Sequence, residues 1–409
     1  MPVTPPPATG APLLSRIRSE PVYFLMAMSF VNFLGFAGWT TLFNNFAKEA
    51  AGFTGADIGL AQTVREIPGF LAFTAIYFFL VLREQTFGYL ALIVLGGGLA
   101  ITGYFPSLTG LLVTTFIMSV GFHYFETVNQ SLSLQLFPKK EAPRLLGRVA
   151  SANAAAQFLV YSGIALLWWS GLTDYGTLFA IIGLACIVLT LAAFVFFARF
   201  DGTVAQVKTI VIRPRYWLYY ALTFMNGARR QIFSAFAGFL LVEKFGFKVP
   251  DIALLMLATA ALNTYAAPRL GALVGRWGER RTIAFENISL ILIFLGYAFV
   301  TNGWVAAGLY VADGVFSILV LAQKTYIQKI GDPADMAPTA ACAFTINHIA
   351  AVVIPVTFGL LWLKNPSFVF MLGAAIATTS LALSFLVPRH PGPGNETVLV
   401  RNPSPAAAE

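Results

Sequence analysis

Long apolar runs alternate with short polar breaks along the whole chain. Twelve runs, at 22–46, 56–82, 86–106, 108–135, 148–170, 174–198, 216–242, 250–275, 282–302, 304–328, 339–363 and 367–387, lie near the length of about 20 residues that a helix needs to cross a bilayer. They are predicted to be helices, because backbone groups in lipid have no water to bond and must satisfy one another. The pattern gives an all-α membrane protein with a disordered tail at 1–20, a six-helix bundle at 21–199, a basic linker at 200–215, a second bundle at 216–388 and a disordered tail at 389–409.

The two bundles carry a repeat. Asn32 and Asn226, Gly52-Phe53 and Gly246-Phe247, Asp57-Ile58 and Asp251-Ile252, Asn153 and Asn347, and Trp168 and Trp362 all share one offset in sequence. One shared dipeptide is noise, whereas several at a single offset indicate two copies of one unit. Because each copy has an even number of spans, both point the same way across the membrane.

Composition agrees. With 58% hydrophobic and 11% charged residues and a mean hydropathy of +0.75, too little polar surface exists to cover a soluble particle of this size. The net charge of +8 would suit a nucleic-acid partner only if it were clustered, and it is not. With both termini cytoplasmic, only Lys48, Lys244, Lys248 and Lys364 fall outside, Arg65, Arg229, Arg230, Arg269 and Lys324 fall within spans, and the other lysines and arginines fall inside. This asymmetry predicts a multi-pass protein of the inner (plasma) membrane in that orientation. The first span is too long for a signal-peptide core, and the Asn395-Glu396-Thr397 sequon is expected on the unglycosylated side. Cys186 and Cys342 lie within spans, which speaks against an extracellular disulfide framework.

The stretch Gly271 to Arg281, GALVGRWGERR, sits between the eighth and ninth runs. Gly271, Arg276, Gly278, Arg280 and Arg281 resemble the cytoplasmic loop signature of the major facilitator superfamily. Gly275 stands where that family usually has aspartate, and the corresponding first-half loop, Arg83-Glu84-Gln85-Thr86, lacks the glycines and the paired basic residues. The resemblance implies two parallel six-helix halves rocking about a midplane site, alternating access, and a cavity lined by the first, second, fourth and fifth helices of each half.

Ionisable groups at membrane depth mark pathways. Asn32 suits either an interhelical hydrogen bond or a solute contact. Gln62, Arg65 and Glu66 share one face of the second span shortly before Pro68; Arg65 and Glu66 read as a self-neutralising pair or as paired to a neighbouring helix, or else Glu66 is a protonatable coupling group. Ser119, His123, Glu126, Gln130 and Ser133 form one polar stripe on the fourth span, where His123 and Glu126 suit proton relay or a static hydrogen bond. Asn153, Gln157 and Tyr161 form a neutral row on the fifth, which lacks the glycine and proline signature of exporter branches of the family. Asn226, Arg229 and Arg230 lie near the centre of the seventh. Two adjacent guanidiniums there require neutralisation, either by a bound anion, which their planar forks suit, or by Glu66, Glu126 or Asp313. Arg269 reads as a gate or interface residue, and Glu286 is expected to meet the basic loop before it. Asp313, Ser317, Lys324 and Gln328 make a further stripe, and Asn347 and His348 precede Pro355.

Gly96, Gly97 and Gly98 have neither a strand before them nor a following lysine, so they read as helix packing and not as a phosphate loop. No nucleophile and base set, cofactor motif or second metal-ligand pair appears. The expected function is secondary transport of a small anionic solute coupled to protons, by a monomer embedded in the lipid bilayer with no nucleic-acid partner. Asn32, Gln157, Asn226, Arg229, Arg230 and Asn347 are the candidates for solute binding, and Glu66, His123, Glu126 and Asp313 those for proton coupling. The alternatives are efflux of amphipathic compounds and a non-transporting sensor or scaffold on the same fold. No motif names the solute.

Overall fold

The computed structural model describes residues 13–138, 141–200, 212–332 and 336–399. In chain order its helices are α1 (Leu13–Ser19), α2 (Pro21–Glu49), α3 (Gly55–Phe70), α4 (Ala75–Phe79), α5 (Glu84–Thr102), α6 (Leu108–Leu136), α7 (Ala142–Trp169), α8 (Tyr175–Phe196), α9 (Trp217–Glu243), α10 (Val249–Trp277), α11 (Glu279–Phe299), α12 (Gly303–Phe316), α13 (Leu321–Ile330), α14 (Met336–Trp362) and α15 (Pro366–Ser384). Ten helical stretches among the described residues are long and apolar enough to cross a membrane. The other two predicted spans are also helical but fall short of that measure. The second is divided into α3, a 3-10 turn at Leu71–Thr74 and α4, close after Pro68, whose missing N–H weakens the helix. The seventh is α9, whose middle carries Asn226, Arg229 and Arg230. The tenth is likewise interrupted, by a 3-10 turn at Ser317–Val320 between α12 and α13.

The sequence repeat is a repeat of backbone geometry. Gly52 and Gly246 both take positive φ, 66° and 68°, where a glycine avoids the Cβ penalty. In each copy the following phenylalanine N–H reaches back six residues, Phe53 to Ala47 O at 2.9 Å and Phe247 to Leu241 O at 3.0 Å, which satisfies a helix-end carbonyl. The next helix then starts on the repeated aspartate: Thr54 N–H donates to Asp57 at 2.9 Å, and Lys248 N–H to Asp251 at 2.8 Å. One stop, turn and start is thus written twice.

The chain divides into two compact units. The first holds the described residues up to Phe46 and those between Leu71 and Gln206. Its centre is α5, pressed against α8 on one side and α6 on the other by glycines. A Cβ on Gly96 would lie 2.7 Å from Gly183 O, and one on Gly98 would lie 2.5 Å from Met118 N, while Gly97 between them faces open space. The glycine run is therefore a packing device, as its sequence context implied.

The second unit holds the described residues Ala47–Phe70 and those after Val207. The sequence repeat assigns α3 to the first copy, yet α3 packs here, on α14 and α9. Small residues explain the choice, because a Cβ on Gly59 would fall 2.1 Å from Pro355 O and one on Gly359 2.8 Å from Gly55 O. A buried core of Tyr216, Leu222, Val274, Ile283, Tyr326 and Val387 closes the far end of this unit.

The predicted tails differ in part from their description as disordered. Leu13–Ser19 is helical, and the segment after α15 is tied down through buried Glu396 and Thr397 and by Val398 N–H, bonded to Leu386 O at 2.9 Å. Residues 1–12, most of the linker (201–211) and residues 400–409 lie outside the described residues.

Candidate functional site

In the first unit, the polar stripe of α6 meets α2. Asn32 is fully buried and donates through Nδ2 to Glu126 Oε1 at 2.8 Å, an interhelical bond between α2 and α6. His123, 7% exposed, shares a 3.0 Å hydrogen bond between Nδ1 and the Ser119 hydroxyl one turn earlier. Farther along α6, Gln130 is exposed. On α7, Gln157 and Asn153 are half-buried, and the buried Asn153 side-chain oxygen has no hydrogen-bond partner among the described residues.

In the second unit, α3 delivers a buried group of three. Arg65 Nε donates to Gln62 Oε1 at 2.8 Å, and its guanidinium pairs with Glu66 Oε1 at 2.5 Å. The shared helical face expected from sequence is therefore real, and its first partner is internal. From α14, His348 Nε2 stands 3.8 Å from the other Glu66 oxygen. His348 Nδ1 is engaged by Phe344 O at 2.9 Å, an arrangement that fixes the ring and leaves Nε2 aimed at the carboxylate.

A second group surrounds the paired arginines of α9. Arg229 is 4% exposed and its guanidinium donates to Asn226 Oδ1 and, at 2.8 Å, to Glu286 Oε1 of α11. Glu286 thus does not meet the basic loop, as its position early in the ninth span had suggested. One helical turn and more into α11, it is carried beyond that loop and turned towards α9. Asp313, 8% exposed and bonded at 3.4 Å by the Ser317 hydroxyl, is near enough to interact electrostatically with Arg229 and Glu286. Arg230 differs from its neighbour: it is exposed, and its guanidinium makes a long 3.4 Å contact with Asn347 Oδ1. The adjacent arginines have separate surroundings because successive residues on a helix point about 100° apart.

The signature loop is built around Gly278, whose φ of 76° joins α10 to α11. Gly271 has only the Leu321 side chain near the position of a Cβ, and Gly275 has nothing there. Arg276 and Arg281 are exposed, and Arg280 lies over the Phe385 ring at 5.7 Å. Within the loop Glu279 is buried and pairs with Lys329 at 2.6 Å. Sequence reading passed over Glu279, although an acid inside a basic loop was a signal of an ion pair. Lys324 and Arg269 are both exposed; Arg269 stacks 3.5 Å from the centre of the Tyr265 ring.

The arrangement can balance charge and exchange hydrogen bonds at membrane depth. Arg229 has a carboxylate of its own, Glu66 has Arg65 and His348 close by and Arg230 within electrostatic range, and Arg230 keeps guanidinium N–H groups beyond its contact with Asn347.

Comparison with solved structures gives the same architecture. A mutant form of the nucleoside transporter NupG superposes with a TM-score of 0.73 at 14% identity, over 89% of this chain and 98% of that one. A bacterial homologue of the human lysosomal transporter Spinster, in an inward-facing and occupied conformation, gives 0.71 at 15% identity over 94% and 98%. Identities this low establish a shared fold alone. No curated protein matches the sequence. The sequence profile described as Major Facilitator Superfamily matches residues 21–355, and on that match the chain belongs to the major facilitator superfamily, as a multi-pass transmembrane transporter.

Proposed function

We propose that this chain carries a small anionic solute across the inner (plasma) membrane by alternating access, coupled to protons, as a monomer with both termini in the cytoplasm. The observation that carries the reading is the contrast on α9. Arg229 is buried against Glu286 and Asn226, whereas Arg230 beside it is exposed, with a long contact to Asn347 as its hydrogen bond and Glu66 acting on it through space without a direct ion pair. A planar guanidinium with free N–H groups suits a carboxylate or phosphate. Arg230 and Asn347 then contact the solute, Arg229 and Asn226 fix the field around it, and Asn32 and Gln157 are the candidates contributed by the first unit. Glu66, Glu126 and Asp313 are the proton carriers under this reading, with His123 assisting. Protonating one of them changes the balance of charge in its cluster and with it the preference between conformations.

The test is a thermal-shift panel on purified protein, with carboxylates, phosphates and other oxyanions set against cations, sugars and nucleosides. Nucleosides are included because a structurally similar protein transports them. Ligand that binds only the folded state raises its apparent stability. An anion that stabilises the wild type and not Arg230→Ala supports the reading, and uptake into liposomes under a pH gradient then tests coupling. A response confined to neutral or cationic solutes, or one that Arg230→Ala retains, removes the anionic solute from the proposal.

A further inference from the structure

Within the first unit, a groove of about 1000 Å³ runs between α1 and the last turns of α8. One wall is the outer face of α8, where Val188, Leu191 and Val195 are 62%, 49% and 77% exposed. The other wall is α1, which contributes Leu14, Ser15 and Arg18. The α8 wall from Val188 to Phe196 extends roughly 12 Å at the rise of an α-helix.

Its two ends differ in charge. At the end beyond Phe196, Ala198 N–H donates to Arg18 O at 3.0 Å, which sets the backbone of Arg199 one residue from that contact; Arg18 lines the groove and both arginines are exposed. Gln85 fixes this corner from the α5 side: its Nε2 donates to Ala198 O at 3.0 Å, and its Oε1 accepts from Phe200 N–H at 2.9 Å. The backbone on both sides of Arg199 is therefore pinned. The nearby acid, Glu20, is 3.8 Å from Arg16. Toward the middle of α8, Val188 and Leu191 continue the apolar wall with no ionisable residue among the lining side chains there.

We propose that this groove binds an anionic glycerophospholipid, with an acyl chain along α8 and its phosphodiester at Arg18 and Arg199. The argument is charge complementarity at a lipid-facing surface. An apolar channel alone would accept any acyl chain, but Arg18 in the lining, with Arg199 next to the backbone bonded to it, favours a negative headgroup, since basic residues near a membrane surface attract anionic lipid. The site is separate from Arg230 and independent of which solute is carried.

The test uses the full chain purified in a neutral detergent, with phosphatidylglycerol, phosphatidylcholine and free glycerol 3-phosphate as probes, read by native mass spectrometry and thermal shift. Phosphatidylglycerol is expected to bind and stabilise the wild type, with phosphatidylcholine markedly weaker and glycerol 3-phosphate without effect. The Arg18→Ala/Arg199→Ala variant is expected to hold phosphatidylglycerol about thirtyfold more weakly. Ala192→Trp, which fills the groove from an exposed position, should weaken both lipids while leaving the unliganded melting temperature near that of the wild type. Equal binding of the two lipids by the wild type, full retention of phosphatidylglycerol by either variant, or competition by glycerol 3-phosphate would each overturn the proposal.

Discussion

Arg229 of α9 and Glu286 of α11 meet at 2.8 Å, with side chains 5% and 0% exposed. A pair buried this deeply is held by mutual need: desolvation offsets much of the attraction, but losing one partner strands the other charge. Glu286→Gln is therefore expected to destabilise the protein by about 3 to 5 kcal/mol. The Arg229→Met/Glu286→Leu double variant should lose less than the sum of the single losses, because neither member of the pair is left facing an empty partner, although the buried Asp313 nearby loses Arg229 in it as well. Thermal unfolding of the three variants in one detergent measures this, and additive losses would show that the pair is not coupled.

The approach of α3 to α14 rests on Gly59. A methyl group there would fall 2.1 Å from Pro355 O, and backbone cannot yield as the end of a side chain can. Gly59→Ala is expected to lower stability by roughly 1 to 3 kcal/mol through overpacking. Gly97→Ala is the matched control, because it sits in a helix with open space around its Cβ position. That variant should be neutral or stabilising by up to about 1 kcal/mol. Equal melting temperatures for the two alanine variants would contradict the packing account.

Glu243 joins two interactions at the end of α9. Its Oε1 pairs with Lys48 Nζ at 3.0 Å and its Oε2 accepts from Trp362 Nε1 at 2.8 Å. Trp362 is buried, stacks on Phe236 at 5.1 Å and occupies the space that a Cβ on Gly55 would need. The ion pair is partly exposed, so its loss should cost at most about 1 kcal/mol. Glu243→Gln keeps an acceptor for the indole and is expected to show only that small loss. Glu243→Leu leaves the indole N–H unpaired, and an unsatisfied buried donor adds about 1 to 3 kcal/mol. Melting curves for both variants should rank wild type, glutamine and leucine in that order.

The parts of the structure legible in the sequence are those set by local pattern. Apolar run lengths locate the helices, and the single offset linking Gly52-Phe53 to Gly246-Phe247 and Asp57 to Asp251 marks a turn that recurs bond for bond. The arginine pair of α9 is visible as a charge problem, but its solution is not. Glu286 is 57 residues from Arg229, and helix rotation, which periodicity leaves open when a span is apolar all round, decides whether it faces the loop or α9. Glu126 and Asn32 stand apart in the sequence for the same reason, since nothing local links residues 94 positions apart. The packing of α3 with α14 depends on which small residues face each other across helices, a property of the pair and not of either sequence.

The segment after α15 reads as a free tail from its prolines and polarity, yet it is fastened at two points. Tyr326 is fully buried, and its hydroxyl donates to Glu396 O at 2.5 Å. Two residues later, Val398 N–H donates to Leu386 O at 2.9 Å. Gly394, with φ of 79°, makes the return possible, and the Glu396 carboxylate accepts from Gly394 N–H at 3.0 Å. Thr397 is 2% exposed, and Val387 beside the segment belongs to the core that includes Tyr216 and Ile283. Tyr326→Phe removes one hydrogen bond and is expected to cost about 0.5 to 1.5 kcal/mol. A chain ending at Val387 loses both fastenings and also uncovers Tyr326 and Val387, so apolar burial is lost as well. Its melting temperature should therefore fall further than that of Tyr326→Phe. Combining the two changes should add nothing beyond the truncation, because the phenol's partner is already gone. A truncated chain that melts with the wild type would show that the segment covers the core without stabilising it.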